Sequence, residues 1–169
     1  TNSELEILDE GLDIVIKPTA EGLANMGEFV TNMHTESGLI NEFEHGLDLA
    51  DAEQIVLEYV KRFVPEARTA PLAGNTIGTD RMFINRYMPE LDSHLHYRNI
   101  DVSSVKELSR RWFPRVYFNL PKKDGGHRAL ADILESIKEL QYYRKTVFVE
   151  QPGPNSEAAK AAASSLDSD

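Results

Sequence analysis

The stretch that decides the fold is Ala70-Pro71-Leu72-Ala73-Gly74-Asn75-Thr76-Ile77-Gly78-Thr79-Asp80. Its first six residues form a short, apolar run, which predicts a buried β-strand. We expect Thr79 or Asp80 to begin a helix that continues through Tyr87 and ends before Pro89. A strand that leads directly into a helix is the repeating unit of α/β folds, whose ligands commonly lie at the carboxyl ends of the strands.

Strands and helices alternate along the rest of the chain. A second short strand is expected at Asn99-Ile100-Asp101-Val102. Ser104 and Glu107 then have the spacing of a capping box, for a helix that runs to about Trp112. Alternating apolar residues from Leu5 to Ile16 predict a β-hairpin. Further helices are expected over 27–37, after Asp48, and along the apolar positions Ala129, Leu130, Ile133, Leu134, Ile137 and Leu140. The pattern predicts an α/β domain with a mixed central sheet flanked by helices.

Composition excludes several classes of protein. The 169 residues suffice for one domain, and they contain no cysteine, so disulfides and thiolate chemistry are excluded and a reducing cytoplasm is expected. Neither a signal peptide nor an apolar run long enough to span a membrane is visible. The net charge of −10 argues against tight nonspecific binding of long nucleic acid. We expect a folded domain over residues 1–148 and a disordered acidic tail over 149–169.

A glycine pair and a histidine directly precede the long helix expected near the C-terminus. Gly125-Gly126-His127 precedes Asp132, and a histidine beside a carboxylate is a plausible hydrolytic pair. The ordinary alternative is a histidine that caps the helix near a solvated aspartate. His96 and Asp101 have the same spacing, so spacing does not choose between the two pairs.

Other candidates also have structural alternatives. Asp80 is either a ligand-binding acid at the strand-to-helix crossing or an acid that satisfies the helix dipole. Gly74 and Gly78 do not form a Walker loop, because the Lys-Ser/Thr sequel is missing. Arg98 is suited to bind a phosphate, and Ser103 either binds a ligand or caps its helix. Asp101 is more suited to orient Arg98 or the backbone than to act with His96.

Phe29 and His34 form a further candidate pair on the helix expected over 27–37. Phe29 would be a base-stacking platform and His34 a phosphate contact. The alternative places Phe29 in the core and His34 on the surface.

Several motifs, in order, resemble bacterial oligoribonuclease over nearly all of residues 1–148. The motifs are Gly74 to Ile84, Tyr87 to Leu91, His96 to Leu108, Arg110-Arg111-Trp112 and His127 to Ile133. The resemblance implies a ribonuclease-H-like fold of the exonucleases whose site contains three Asp, one Glu and one His. It also implies a cytoplasmic 3′-to-5′ exoribonuclease that cuts very short RNA, dinucleotides above all, into nucleoside 5′-monophosphates.

The resemblance assigns roles to the candidates. Asp80 and Asp132 would be two of four carboxylates that hold two divalent ions, Mg²⁺ or Mn²⁺, and His127 would be the general base for the attacking water. The substrate's 5′-phosphate would be held by His34, Thr76 (usually Ser in the family), Arg98 and Ser103. Phe29 (often Trp in relatives) and Tyr97 would stack on bases. The enzyme would be a homodimer, with Tyr97 and Arg98 reaching into the partner's site.

One family motif is absent. The Asp-x-Glu of the first strand, followed by Thr-Gly-Leu, would supply the other two metal ligands. Asp9-Glu10 does not replace it, because adjacent residues of a strand point to opposite faces. We therefore expect the sequence to lack an N-terminal segment and, as given, to be inactive. Two alternatives remain: a catalytically inactive nucleotide-binding or dimer-scaffold module, and a metal-dependent phosphoesterase acting on longer single strands.

Overall fold

The structure is a computed structural model that describes residues 1–122 and 128–166. Among these residues, helices surround a small sheet. The helices are α1 (Ala20–Ala24), α2 (Glu28–Glu36), a 3₁₀ helix (Leu39–His45), α3 (Leu49–Phe63), α4 (Ile77–Tyr87), α5 (Pro89–His94), α6 (Val102–Trp112), α7 (Pro114–Tyr117), α8 (Ala129–Thr146) and α9 (Ser156–Leu166). The strands are β1 (Pro71–Gly74) and β2 (His96–Asp101). None of the described helices is long and apolar enough to cross a membrane.

The sheet is parallel and positions the candidate site. Leu72, Ala73 and Gly74 of β1 pair with Asn99, Ile100 and Asp101 of β2. A parallel pair needs a crossover connection, and α4 and α5 provide it. Because the strands run in the same direction, the ends of β1 and β2 and the starts of α4 and α6 lie at one edge of the sheet. This arrangement confirms the α/β class, but the sheet of the described residues is parallel and not mixed as expected.

The hydrophobic core lies between α3, α5 and the sheet. Leu57, Leu91 and Leu95 are each at most 8% exposed. Side chains from α3, β1 and α4 pack on them: Val56, Val60, Leu72, Ile84 and Met88. Helix α3, expected after Asp48, is therefore present and packs on the core. Pro65 lies two residues after Phe63, the last residue of this helix.

The predicted β-hairpin is wrong. Over residues 5–16 the described backbone forms no strand, and the single bridge joins Ile16 to Leu47 in parallel. Ile7 and Leu8 are half-exposed, so they find no apolar layer to cover. A two-stranded hairpin without such a layer is marginal in water. The segment instead binds α8, where Gln141 Nε2 donates to the Leu5 carbonyl at 2.8 Å.

Two helix starts differ from the prediction. Helix α4 begins at Ile77, not at Thr79 or Asp80. Helix α6 begins at Val102, and Asp101 caps it by accepting from the Ser103 backbone N–H, so Ser104 is not the cap. An aspartate that ends a strand can cap the next helix without a loop between them.

Short helices lie within the predicted loop and within the predicted tail. Helix α7 lies within the segment expected to be a loop after Pro114. Helix α9 lies within the segment expected to be disordered, and its side chains are exposed. An Ala-rich composition has high helix propensity without any packing partner. The domain boundary at residue 148 stays a prediction.

Candidate active site

Asp80 and Asp132 line one cavity of about 630 Å³ beside the sheet. Asp80 is in the first turn of α4 and Asp132 is in the first turn of α8. The cavity walls are mostly apolar, and they include Ala73, Gly74, Ile77, Val102, Ala129, Ile133, Ile137 and Leu140. Two acids from separate helices therefore face one largely apolar space.

The two carboxylates have no competing partners among residues 1–122 and 128–166. Within these ranges, neither side chain accepts a hydrogen bond or forms an ion pair. Carboxylate oxygens are the ligands that Mg²⁺ and Mn²⁺ prefer. The donor set therefore fits a hard divalent cation, although no group of three or more His, Cys, Asp or Glu near enough to hold one occurs in the described part of the chain.

His127, the expected general base, lies outside the described residues, as do Gly125 and Gly126. Its neighbour Arg128 is described, and it binds Glu42 of the 3₁₀ helix through two nitrogens, at 2.6 and 3.2 Å. The hydrogen bond from Arg128 lowers the pKa of Glu42, and the hydrogen bond to Glu42 raises the pKa of Arg128. This ion pair fixes the backbone that follows His127.

Thr76 and Ser103 are brought together next to the cavity. Their hydroxyl oxygens are 3.1 Å apart, and the Thr76 backbone N–H donates to Ser103 Oγ at 2.9 Å and to Asp101 Oδ1 at 3.0 Å. Thr76 has a left-handed backbone, with φ 55° and ψ 32°, which is unusual for a β-branched residue. The two acceptors across the turn stabilise that conformation. The structure thus places Thr76 next to Ser103, and their role in binding a 5′-phosphate stays a prediction.

Asp101 has a structural role. Its Oδ1 accepts from the backbone N–H groups of Thr76 and Ser103, and its Oδ2 accepts from the Ser104 hydroxyl at 3.0 Å. His96 Nδ1 accepts from the Arg98 backbone N–H. The rival pair of His96 and Asp101 is therefore not formed, and Asp101 orients backbone groups instead of Arg98.

Tyr97 and Arg98 lie on the exposed side of β2. Tyr97 is 69% exposed, and the Arg98 guanidinium lies 5.4 Å from the centre of its ring. Within the described residues of one chain, no hydrogen bond joins Arg98 to Thr76 or Ser103. Their predicted contribution across a dimer stays a prediction.

Phe29 and His34 are on α2, which packs against the 3₁₀ helix. Phe29 is 79% exposed, so the alternative that places it in the core is wrong. His34 contacts the edge of the Phe43 ring, and its buried Nδ1 has no hydrogen-bond partner among the described residues. No hydrogen bond in the described structure brings His34 to the pair of Thr76 and Ser103.

A buried polar network was missed by the sequence reasoning. Glu139 of α8 is only 3% exposed and receives hydrogen bonds from Asn75 Nδ2 at 3.3 Å and Tyr143 OH at 3.3 Å. Lys106 Nζ of α6 lies 3.4 Å from its Oε1. Burial is the main cause that raises the pKa of Tyr143, and the nearby charge of Glu139 is the second. The phenol therefore stays protonated and donates. Asp132, Ser136, Glu139 and Tyr143 recur at steps of four, three and four, and this polar stripe was the available signal.

Known proteins resemble this chain over almost its full length. The sequence profile of the RNase_T family, described as exonuclease, matches residues 1–140. An oligoribonuclease of Leifsonia xyli subsp. xyli is 66% identical over 166 residues, which are 98% of this chain and 80% of that protein. The chain belongs to the oligoribonuclease family. Family members from Streptomyces griseus and Mycobacterium avium are 60% and 57% identical, over 98% and 99% of this chain and 83% and 78% of their own lengths.

The oligoribonuclease resemblance inferred from the motifs is thus confirmed, and with it the α/β exonuclease fold. The described site contains two of the acids expected for the family. Asp9 does not line the cavity described above, and its carboxylate pairs instead with Arg62 Nη2 at 3.4 Å. The expectation that Asp9-Glu10 does not replace an Asp-x-Glu motif stays a prediction.

Proposed function

We propose that this protein is a 3′-to-5′ exoribonuclease that hydrolyses very short RNA oligonucleotides, dinucleotides above all, to nucleoside 5′-monophosphates. The observation that carries the proposal is the placement of two carboxylates, Asp80 and Asp132, on one cavity, where neither has a hydrogen-bond or ion-pair partner among the described residues. Family membership supports it, since curated relatives at 57% to 66% identity are named oligoribonucleases.

Asp80 and Asp132 would hold the divalent metal, which we propose to be Mg²⁺ or Mn²⁺. When bound, a pair of such ions stabilises charge on the attacking and leaving oxygens of a phosphodiester. His127 would accept the proton of the attacking water as general base. Both aspartates are exposed to solvent, so the attacking water can reach them.

Thr76 and Ser103 would bind the 5′-phosphate of the substrate, with help from His34 and Arg98. The hydroxyl oxygens are 3.1 Å apart, so one phosphate group can contact both, and Ser103 would then donate to the phosphate the proton that it donates to Asn75 in this structure. A closed 5′ end would restrict the length of the substrate. This restriction is consistent with the net charge of −10, which disfavours long polyanions.

Phe29 and Tyr97 would stack on bases. Both rings are more than two-thirds exposed and so accessible to a nucleobase, although the His96 ring lies 4.4 Å from that of Tyr97. We propose that the protein acts as a homodimer in the cytoplasm, with Tyr97 and Arg98 completing the partner's site. The cross-subunit role is supported by the 69% exposure of Tyr97, which leaves this part of β2 accessible to a second chain.

The test is hydrolysis of a 5′-phosphorylated dinucleotide in the presence of Mg²⁺ or Mn²⁺. We propose that the 169-residue chain alone lacks this activity. A variant extended by an added segment with Asp-x-Glu, called the active form below, should have the activity. The active form should lose it in Asp132→Asn, whereas Asp9→Asn should keep it because Asp9 pairs with Arg62. Activity of the 169-residue chain itself would overturn the inactivity proposal and leave the exoribonuclease proposal intact.

The same assay separates the alternatives. Cleavage of a ten-mer as fast as a two-mer would indicate a phosphoesterase for longer strands. Tight binding of the dinucleotide without hydrolysis in either form would indicate an inactive nucleotide-binding module. Family membership disfavours the module.

A further inference from the structure

Asn75 connects three elements of the site through one amide group. It lies between β1 and α4, immediately before Thr76. Its Nδ2 donates to Ser136 Oγ at 2.9 Å and to Glu139 Oε2 at 3.3 Å, both on α8. Its Oδ1 accepts from Ser103 Oγ on α6 at 3.1 Å. Both polar atoms of the amide are therefore in use.

Glu139 dictates the orientation of this amide. A carboxylate accepts hydrogen bonds only, so the NH₂ side of Asn75 must face it and the carbonyl side must face Ser103. Glu139 is itself fixed by Lys106 Nζ at 3.4 Å and by the buried Tyr143 hydroxyl at 3.3 Å. A buried charge held by several donors has little freedom to move.

The position of Asn75 links the two halves of the proposed site. Ser136, which binds its Nδ2, is one helical turn after Asp132 and donates to the Asp132 carbonyl at 2.9 Å. On the other side, Asn75 precedes α4, whose first turn contains Asp80. The amide therefore sets how the first turn of α4 lies against α8.

We propose that Asn75, oriented by Glu139, is a positioning residue that couples the carboxylate pair of the cavity to the hydroxyl pair of Thr76 and Ser103. This proposal rests on the proposed function. Asn75 acts on the metal through Asp80 and Asp132, and on the 5′-phosphate through Ser103. Loss of the amide should loosen both sites together.

The experiment measures two quantities by calorimetry. One is the affinity for Mn²⁺ alone, and the other is the ratio of affinities for a 5′-phosphorylated and a 5′-hydroxyl dinucleotide. Asn75→Ala should lower the Mn²⁺ affinity and the ratio about five- to tenfold each, the effect of one or two buried hydrogen bonds. Glu139→Gln should lower both by less, because a glutamine can face Asn75 with either end of its amide.

The double variant distinguishes positioning from general damage. If Glu139 acts through Asn75, then Asn75→Ala with Glu139→Gln should be no worse than Asn75→Ala alone. The matched control is Glu53→Gln, which changes a buried carboxylate that accepts from the Glu90 and Leu91 backbone N–H groups. It should lower the melting temperature without changing the Mn²⁺ affinity or the ratio.

Three results would overturn the proposal. The first is an Asn75→Ala variant with both quantities unchanged, the second is full addition of the two losses in the double variant, and the third is a decrease of both quantities in Glu53→Gln. If the unmodified protein binds Mn²⁺ and prefers the 5′-phosphate but the variants do not differ from it, only the positioning role fails. If the active form that carries Asp-x-Glu also shows neither property, the proposed function fails first.

Discussion

Tyr143→Phe removes one hydroxyl from the most deeply buried part of the protein. Tyr143 is fully buried, and its hydroxyl donates to Glu139 Oε1 at 3.3 Å. The variant leaves the carboxylate with Asn75 and Lys106 and one donor fewer. A lost hydrogen bond to a buried charged group costs about 1–2 kcal/mol when the remaining donors compensate in part. For a chain of 169 residues this corresponds to a decrease in melting temperature of about 3–6 °C.

The assay is urea unfolding of the variant at neutral pH, with an unchanged slope showing that only stability has changed. Tyr142→Phe is the control, since Tyr142 lies on the same helix and donates to the half-buried Val116 carbonyl at 2.9 Å. It should cost about 0.5–1 kcal/mol, because that acceptor is neutral. A Tyr143 variant as stable as the unmodified protein would refute the inference that Glu139 depends on this donor.

The pH dependence gives a second readout. Burial raises the folded-state pKa of Tyr143 above its unfolded value of about 10, so the folded state holds this proton over a range where the unfolded state has lost it. The contribution to stability is complete below about pH 10 and is lost as the pH rises above that value. Tyr143→Phe should therefore show a shallower loss of stability above pH 10. An identical alkaline slope in both proteins would contradict the raised pKa.

Three further predictions follow from the site and the core. Glu42→Gln removes the carboxylate that fixes Arg128, so kcat of the active form should fall about tenfold through misplacement of His127, measured by dinucleotide hydrolysis at neutral pH. Phe29→Ala should raise KM and leave the free energy of unfolding within about 0.5 kcal/mol, because this ring is 79% exposed. Leu91→Ala opens a cavity in the core and should cost about 2–5 kcal/mol in urea unfolding, because Leu91 is 4% exposed.

Each of these variants has a matched control. Glu107→Gln breaks an exposed ion pair of similar length, 2.6 Å to Arg111, and should leave kcat unchanged. Phe118→Ala removes a ring that is also 79% exposed, and KM should not change. Leu166→Ala removes a leucine that is 81% exposed and should cost little. Equal effects in a variant and its control would contradict the corresponding prediction.

Local hydrophobic patterns correctly predicted those helices and strands that bury one continuous apolar face. The apolar stripe of α3 and the short apolar run of β1 are present because each packs on the core formed around Leu57 and Leu91. The segment from Leu5 to Ile16 has an equally clear alternation, but no third strand or apolar layer covers it among the described residues. Period alone does not reveal whether a packing partner exists.

The candidate site was predicted in part for a similar reason. Asp80, Asp132, Thr76 and Ser103 were identified from their motifs, and the structure brings them to two adjacent places. Asp101 was ambiguous, because capping and ligand binding use the same side chain. Glu139 was missed because two of its partners, Lys106 and Asn75, are 33 and 64 residues away in sequence, and only the packing of α6 and β1 on α8 brings them together.

The backbone of Thr76 has a consequence for protein engineering. A left-handed conformation at φ 55° is costly for threonine, and asparagine or glycine adopts it more readily. Thr76→Asn should therefore make the protein harder to unfold while removing a hydroxyl group from the proposed phosphate site. A search for heat-resistant variants would tend to select this substitution and, with it, a lower affinity for the substrate. Stabilisation of this turn and recognition of the substrate are opposing demands on one side chain.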